Sequence, residues 1–448
     1  MRKCEGVRST HPITGRSKIP TSVLLAILAT LALLFSQSAY GQDASQTSND
    51  QKIQQLIEQV QQLQAQVKAL QAQQGSVVAP PAPAPAPTPA AAPPPTPAAE
   101  PIQEVYTPPL GIKLRLFGDV GYEANDLKGP DNDFYLGSLD IFMTGQLTDR
   151  FSVLGEVLFT SSTVDNSITP DVERLLLTYR HNDHLKVSIG RYHTSIGYYD
   201  PTFHRGEWFQ TAIGPPFMYA FDDEGGAFPL QDVGGQISGQ LPSGKLGLEY
   251  LAEVGNGANH AFGAEIVQND HDTNNGKSFN LGLSAHPSRF PGLDVGFSFY
   301  HDYLTFAGNL PNHSEMISTA YVVYTNSKYE ILNEAEIVRH VGTIAGGPGT
   351  FNTPAFYTQF SRAFGKYRPY FRYQYFNAGA TDPIYGNPAL GLSLGRHNGP
   401  SIGGRYDFND HAAMKLQYDH FSFRGMVPGD PYQVQVSNGL TAEFSFAY

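Results

Sequence analysis

Apolar and polar residues alternate one for one, in short runs, through residues 111–448. Near the start of this region Leu114, Leu116, Val120 and Tyr122 share one face, and Lys113, Arg115, Asp119 and Glu123 share the other. Val153, Gly155, Val157 and Phe159 oppose Ser152, Glu156 and Thr160, and Met414, Leu416, Tyr418 and His420 oppose Lys415, Gln417 and Asp419. A period of two marks strands with two unlike faces. Short polar turns separate some runs, at 148–150, 181–184, 242–245, 325–328, 364–366 and 409–411. Long loops rich in Gly, Pro and Asn separate others, at 256–276, 341–353 and 377–396. Short turns at one rim and long loops at the other are the layout of a transmembrane barrel, and the spacing predicts about sixteen strands, an even number as that class requires. A soluble β-sandwich alternates too. The final run weighs against it, because Leu440, Ala442, Phe444, Phe446 and Tyr448 share a face and the chain stops on an aromatic. No apolar run here approaches a spanning helix, and only helices and closed barrels satisfy every backbone group in lipid. The predicted fold class is all-β: a transmembrane antiparallel up-and-down β-barrel over 111–448.

The pattern before residue 111 is different. Arg2, Lys3, Arg8, Arg16 and Lys18 precede an apolar run at 23–35, and small residues follow around Ala39 and Gly41. The run is shorter than the roughly 20 residues of a spanning helix. It predicts a signal peptide over 1–41, removed on export. In 50–74, Ile53, Leu56, Val60, Leu63, Val67 and Leu70 form a heptad seam. About three heptads make some 36 Å of helix, too short to be stable alone. β-branched residues at a with Leu at d favour a two-stranded coil. Residues 75–110 form a Pro/Ala-rich linker, extended and semi-rigid, with a reach on the order of 90 Å. It reads as a spacer, or as a tether crossing part of the periplasm towards the cell wall.

Composition narrows the function classes. The net charge of -12 argues against a nucleic-acid partner. The single cysteine, Cys4, lies in the predicted signal peptide, so the mature chain has neither a disulfide nor a thiolate metal ligand. The segment "NDHDTN" at 269–274 has cation-binding residue types without the spacing of a calcium loop. Gly276, Lys277 and Ser278 do not complete a phosphate loop, since His271 stands where its first Gly belongs. Neither a nucleophile elbow nor a zinc helix motif is present. No cofactor and no metal is expected.

Two stretches carry a resemblance. One is the terminal "LTAEFSFAY"; the other is "VSIGRYHTSIGYYDP" at 187–201 followed by "HRGEWFQTAIGPPFM". They resemble the general outer-membrane porins that carry an N-terminal coiled coil, loosely related to the phosphate-selective porins. The resemblance implies a trimeric, sixteen-stranded, water-filled channel in which a Gly-Arg pair ends the fifth strand and a long third loop folds into the pore.

Strand phase assigns an inner face. Its basic members are Lys113, Arg115, Arg180, Lys186, Arg368, Arg372, Arg405 and Lys415. Its acidic members are Asp119, Glu123, Asp140, Glu156, Glu249, Glu253, Glu330, Glu334, Glu336, Asp407 and Asp419. Rings of charge concentrate opposite ions. Phosphate selectivity would need convergent Arg and Lys, whereas this set is mixed and leans acidic. The third loop, 198–228, offers His204, Arg205, Glu207, Trp208, Gln210, Asp222, Asp223 and Glu224 as a constriction of both charge signs. The same loop also reads as a structural plug packed by Trp208, Phe209, Phe217 and Tyr219.

The expected function is passive diffusion of small hydrophilic solutes and ions, without a chemical step. The expected setting is outer-membrane lipid, with the N-terminal region in the periplasm, possible contact of that region with peptidoglycan, and a homotrimer. The rival readings are a barrel enzyme with a dispersed Ser/His/Asp set, and a structural tether or adhesin.

Overall fold

The alternating runs become strands that each pair with the next. In chain order they are β1 (Gly111–Asn125), β2 (Asp133–Gln146), β3 (Phe151–Ser161), β4 (Ile168–Asn182), β5 (Leu185–His193), β6 (Gln231–Gln240), β7 (Leu248–Gly255), β8 (Ala258–His260) and β9 (Ile266–Gln268). Then follow β10 (Ser278–Ala285), β11 (Leu293–Leu304), β12 (His313–Thr325), β13 (Tyr329–Ile344), β14 (Gly347–Arg362), β15 (Tyr367–Asn377), β16 (Arg396–Asn409), β17 (Ala412–Arg424) and β18 (Val434–Ala447). β1–β7 and β10–β18 make a closed antiparallel barrel of sixteen strands, while β8 and β9 pair only with each other. The computed structural model describes residues 111–127, 132–161, 167–203, 207–220, 228–260, 266–268, 274–305, 312–344, 347–386, 394–424 and 434–448. The chain divides into two units, Met1–Tyr106 and Thr107–Tyr448. The expected signal peptide, coiled coil and linker lie outside the described residues, as does all of the "NDHDTN" segment but Asn274.

Closure depends on the last strand. β18 pairs with β1 from Phe117 opposite Ala447 to Asn125 opposite Gly439. Tyr448 completes the seam: its N–H donates to the Leu116 carbonyl, and its carbonyl accepts the Leu116 N–H in return, both at 2.9 Å. The Phe446 ring reaches over Gly118, where any Cβ would strike its end. With the seam closed, every barrel strand has two neighbours and no edge is left to pair with another chain.

The two faces divide as alternation requires. Leu440, Phe444, Phe446 and Tyr448 are exposed on the outer face, as are Ile112, Leu114, Leu175, Ile189 and Ile402. Their partners in the alternation, among them Asp119, Glu156, Glu334, Arg372 and Lys415, are buried inside. An apolar exterior over a charged interior inverts the soluble pattern and suits hydrocarbon solvent. At the short-turn rim aromatics pair on the outer surface, Phe151 with Tyr179 at 5.0 Å and Tyr406 with Phe408 at 5.2 Å. The Arg362 guanidinium lies 4.6 Å from the Phe364 ring there. Such amphipathic groups mark the level of lipid headgroups.

Three local expectations change. Residues 341–353 are largely a ladder, not a loop: Val341 opposes Thr350 and Ile344 opposes Gly347. The Gly and Pro content there suggested a loop. Thr350, Phe351 and Thr353, however, are strand formers, and pairing lower in the hairpin propagates upward. The 256–276 segment contains the β8–β9 hairpin. A further turn between β10 and β11 escaped notice. Gly292 closes it at φ 89°, and the Gly292 carbonyl accepts the Thr325 N–H at 2.8 Å.

Ile402 stands mid-strand on the outer face, so Ile402→Arg should destabilise the barrel by about 2–4 kcal/mol. Urea unfolding in lipid vesicles would measure this. A neutral result would show that this face does not meet lipid.

Candidate functional site

The inner wall has a basic side and an acidic side. β15–β17 present Arg368, Arg372, Arg405 and Lys415; β7, β12 and β13 present Glu253, Glu315, Glu330, Glu334 and Glu336. The described residues of the connection from β5 to β6, 194–203, 207–220 and 228–230, run inside the barrel and touch both sides. They contain a one-turn helix, Tyr199–Phe203, and two short 3-10 turns, Glu207–Phe209 and Phe217–Tyr219.

Against the acidic side the loop offers donors. The Ser195 N–H and hydroxyl donate to the two Glu253 carboxylate oxygens at 3.1 and 3.0 Å. The Tyr198 N–H donates to Glu334 Oε2 at 2.6 Å, and the Thr211 hydroxyl to Glu330 at 3.0 Å. The Tyr219 hydroxyl lies 2.9 Å from Glu334 Oε2 and also meets Glu336. Burial, with Glu334 and Glu336 beside it, holds this phenol well above its usual range, so it remains a donor. Gly197 makes the approach possible. It has φ 76°, and a Cβ would collide with the Tyr219 hydroxyl and Glu334.

Against the basic side the same loop offers carbonyls. Arg372 Nη1 donates to the Gly214 carbonyl at 2.8 Å. Arg405 Nη1 donates to the carbonyls of Trp208 and Gln210, the latter at 2.9 Å, and the guanidinium lies 4.9 Å from the Trp208 ring. Lys415 Nζ donates to the Glu207 carbonyl at 2.6 Å and pairs with the Glu207 and Glu443 carboxylates at 2.9 Å each. Neutral amides serve next to these, as Gln374 Oε1 accepts the Phe217 N–H at 2.7 Å and Gln417 Oε1 the Ile213 N–H at 3.0 Å.

Of the eight loop residues singled out from sequence, Glu207, Trp208 and Gln210 meet the basic side. His204, Arg205, Asp222, Asp223 and Glu224 lie outside the described residues. Among the predicted lining residues, Glu330, Glu334, Arg372, Arg405 and Lys415 bind the loop. Glu156 pairs instead with Arg174, and Asp119 accepts from the Ser138 N–H and hydroxyl at 3.0 and 2.8 Å. Arg368, opposite Arg405 in register, donates to Ser361 at 3.2 Å. Lys113 and Arg115 stand exposed near the start of β1, on the Asp119 face.

Several participants escaped the sequence reading: Tyr198, Gln374 and Glu443, and a second inward segment. The β15–β16 connection turns in at Asp382–Tyr385. His340 on β13 there spans two carboxylates, Asp382 at 2.8 Å and Glu315 at 2.9 Å. A Tyr, Gln or His carries no phase of its own, so only neighbouring strand phase could have flagged His340 as inward.

No family model matches the chain, and no curated protein matches its sequence. Solved structures do match in fold. OmpF of Salmonella typhi, in complex with daunomycin, is 12% identical with a TM-score of 0.51, over 75% of this chain and 97% of that one. The outer membrane channel DcaP of Acinetobacter baumannii is 10% identical with a TM-score of 0.48, over 75% and 97%. A loop-deletion mutant of OmpT, an outer membrane protein of Vibrio cholerae, is 13% identical with a TM-score of 0.47, over 75% and 99%. The barrel is thus of the kind found in bacterial outer-membrane proteins.

Two outcomes follow from the loop's anchors. Lys415→Met leaves Glu207 and Glu443 unpaired and should cost about 3–5 kcal/mol. Adding Glu443→Gln should restore part of that loss, as read by thermal unfolding; equal losses in both variants would refute the pairing. Asp200, in the one-turn helix, is buried, and desolvation holds its carboxyl well above the usual range despite the Arg174 charge. The folded state therefore keeps a proton that the unfolded chain releases above about pH 4, and stability falls as pH rises from there towards the folded value. Asp200→Asn removes this penalty. Its gain in melting temperature should be small at pH 4 and larger at pH 8, and a gain independent of pH would contradict the assignment.

Proposed function

We propose that this chain is a porin of the bacterial outer membrane, through which small hydrophilic solutes and ions diffuse passively. The carrying observation is a closed barrel whose charged inner wall receives its own third loop. A fixed lining of opposed charge filters solutes by size and by field, with no chemical step. The pore residues proposed are Glu207, Trp208 and Gln210 of the loop, with Glu330, Glu334, Arg372, Arg405 and Lys415 of the wall. His204, Arg205, Asp222, Asp223 and Glu224 complete the proposed constriction. Lys113, Arg115 and Arg368 line the wider passage, and Asp119 and Glu156 lend it charge from within the wall.

The exported chain loses residues 1–41 and leaves its coiled coil, 50–74, and linker, 75–110, in the periplasm, within reach of peptidoglycan. The barrel works as a homotrimer in outer-membrane lipid. The residue pattern of the N-terminal region supports the export, the coiled coil and the linker, and the third-loop resemblance supports the homotrimer. The mixed wall, which leans acidic, favours a general pore over a phosphate channel, because a phosphate path would need convergent Arg and Lys.

Reconstitution of the full chain into a planar bilayer should give discrete, ohmic conductance steps in KCl. Their absence, with folded protein present, would end this reading. Reversal potentials in a salt gradient should shift in opposite directions for Arg205→Ala and Asp222→Ala; unchanged potentials in both would remove these residues from the constriction.

A further inference from the structure

A cavity of about 220 Å³ lies between the inward loop and β15–β17. Phe217, Phe421 and Ile213 form its apolar walls, and Arg372, His397 and Gln417 are among its polar ones. Most of the polar wall is already engaged. Gln417 accepts from the Ile213 N–H and the Tyr370 hydroxyl, and its amide donates to Asp419. Ser401 donates to Asp419, and the Gln374 carbonyl is taken by the Phe217 N–H.

Two groups stand apart. Arg372 is only 2% exposed; its Nε and Nη1 are bound, each at 2.8 Å, but Nη2 has no hydrogen-bond partner. No carboxylate among the described residues lies within ion-pair distance of it. The Tyr199 hydroxyl gives its proton to Gln210, and its oxygen also interacts with the guanidinium, though not in the geometry of a full hydrogen bond to Nη2. His397 is 6% exposed, and neither ring nitrogen has a partner. Its ring is boxed by Phe217, Phe423 and Phe421, with centroids at 4.1, 4.5 and 4.8 Å. A buried guanidinium edge and a buried imidazole left unmatched are costly, and such groups call for a missing partner.

We infer that this cavity binds a small aromatic monocarboxylate, an inference about solute class that rests on the channel reading above. A carboxylate supplies two acceptor oxygens, for Arg372 Nη2 and for a His397 N–H. Charge-assisted bonds of this kind are the strong ones. The aromatic body fits the phenylalanine wall, and a cavity of about 150 Å³ already accepts benzene. The single guanidinium sets the charge. A dianion would leave one charge unpaired among phenyl rings, a neutral solute would leave Arg372 unmatched, and a cation would be repelled.

The test uses the full chain in planar bilayers with benzoate, benzamide and inorganic phosphate as probes. Saturation-transfer NMR on the detergent-solubilised protein reads benzoate binding independently of conduction. Benzoate should interrupt the current saturably, with benzamide and phosphate at least tenfold weaker. Arg372→Gln should weaken benzoate at least tenfold, and Arg372→Lys and His397→Phe several-fold. If Arg372→Gln fails to fold, these last two variants carry the test. Conductance steps with no benzoate effect by either method would overturn the site and leave the channel standing. Benzoate binding that depends on Arg372, without any conductance, would support the site and overturn the channel. Phosphate binding as tightly as benzoate would overturn the proposed solute class.

Discussion

The interior is organised by one constraint: every charge that strand alternation turns inward must find a partner once the loop covers it. A buried, unpaired ion costs several kcal/mol, and this wall carries both signs. The peptide backbone can answer both, since it has a donor and an acceptor at each residue. The third loop uses that property directionally. Its N–H groups and hydroxyls at Ser195, Tyr198 and Thr211 face Glu253, Glu334 and Glu330. Its carbonyls at Glu207, Gln210 and Gly214 face Lys415, Arg405 and Arg372. The loop therefore lies across the lumen in one orientation, because reversal would set carbonyls against carboxylates.

The same rule recurs at the other inward segments. Asp232 accepts the Gly257 N–H at 3.0 Å and Asp302 accepts the Ala258 N–H at 2.7 Å, which fixes the chain after β7. Asp382 accepts the N–H groups of Ile384 and Tyr385 at 2.9 and 3.0 Å before reaching His340. In each case an inward carboxylate holds a turn of backbone. Rigidity is the functional return. A wall whose charges are clamped keeps a fixed field, and in the proposed channel a fixed field can discriminate among solutes that pass without reaction. The cavity beside Arg372 departs from the rule, and that departure is the reason to assign it a ligand.

Outside, the physics is simpler. Lipid satisfies no hydrogen bonds, so the ladder must close, and the seam from Phe117 to Tyr448 closes it. Apolar side chains such as Ile402 and Leu440 then need only face outward. Little specificity is asked of them, and this is why an alternation of unremarkable residues suffices for the wall. Specific partners are needed only where the chain leaves the ladder and enters the lumen.

The sequence alone determined the wall: the period of two, the short polar turns and the terminal aromatic strand led to the barrel and to the face on which Glu334, Arg372 and Lys415 lie. These are local properties, and each can be read within a single run of residues. It also pointed to the third loop, where charge and aromatics cluster. It did not reveal the ladder across 341–353, since Gly and Pro there mask a pairing that depends on the hairpin below. It could not reveal which lining residues would be clamped, or that Tyr219 would reach two glutamates and His340 a carboxylate from another loop. Those contacts join residues more than a hundred positions apart, such as Tyr219 with Glu334, or neutral side chains that carry no signal in a charge pattern. Only the closed barrel, by setting opposite walls within reach of one loop, decided them.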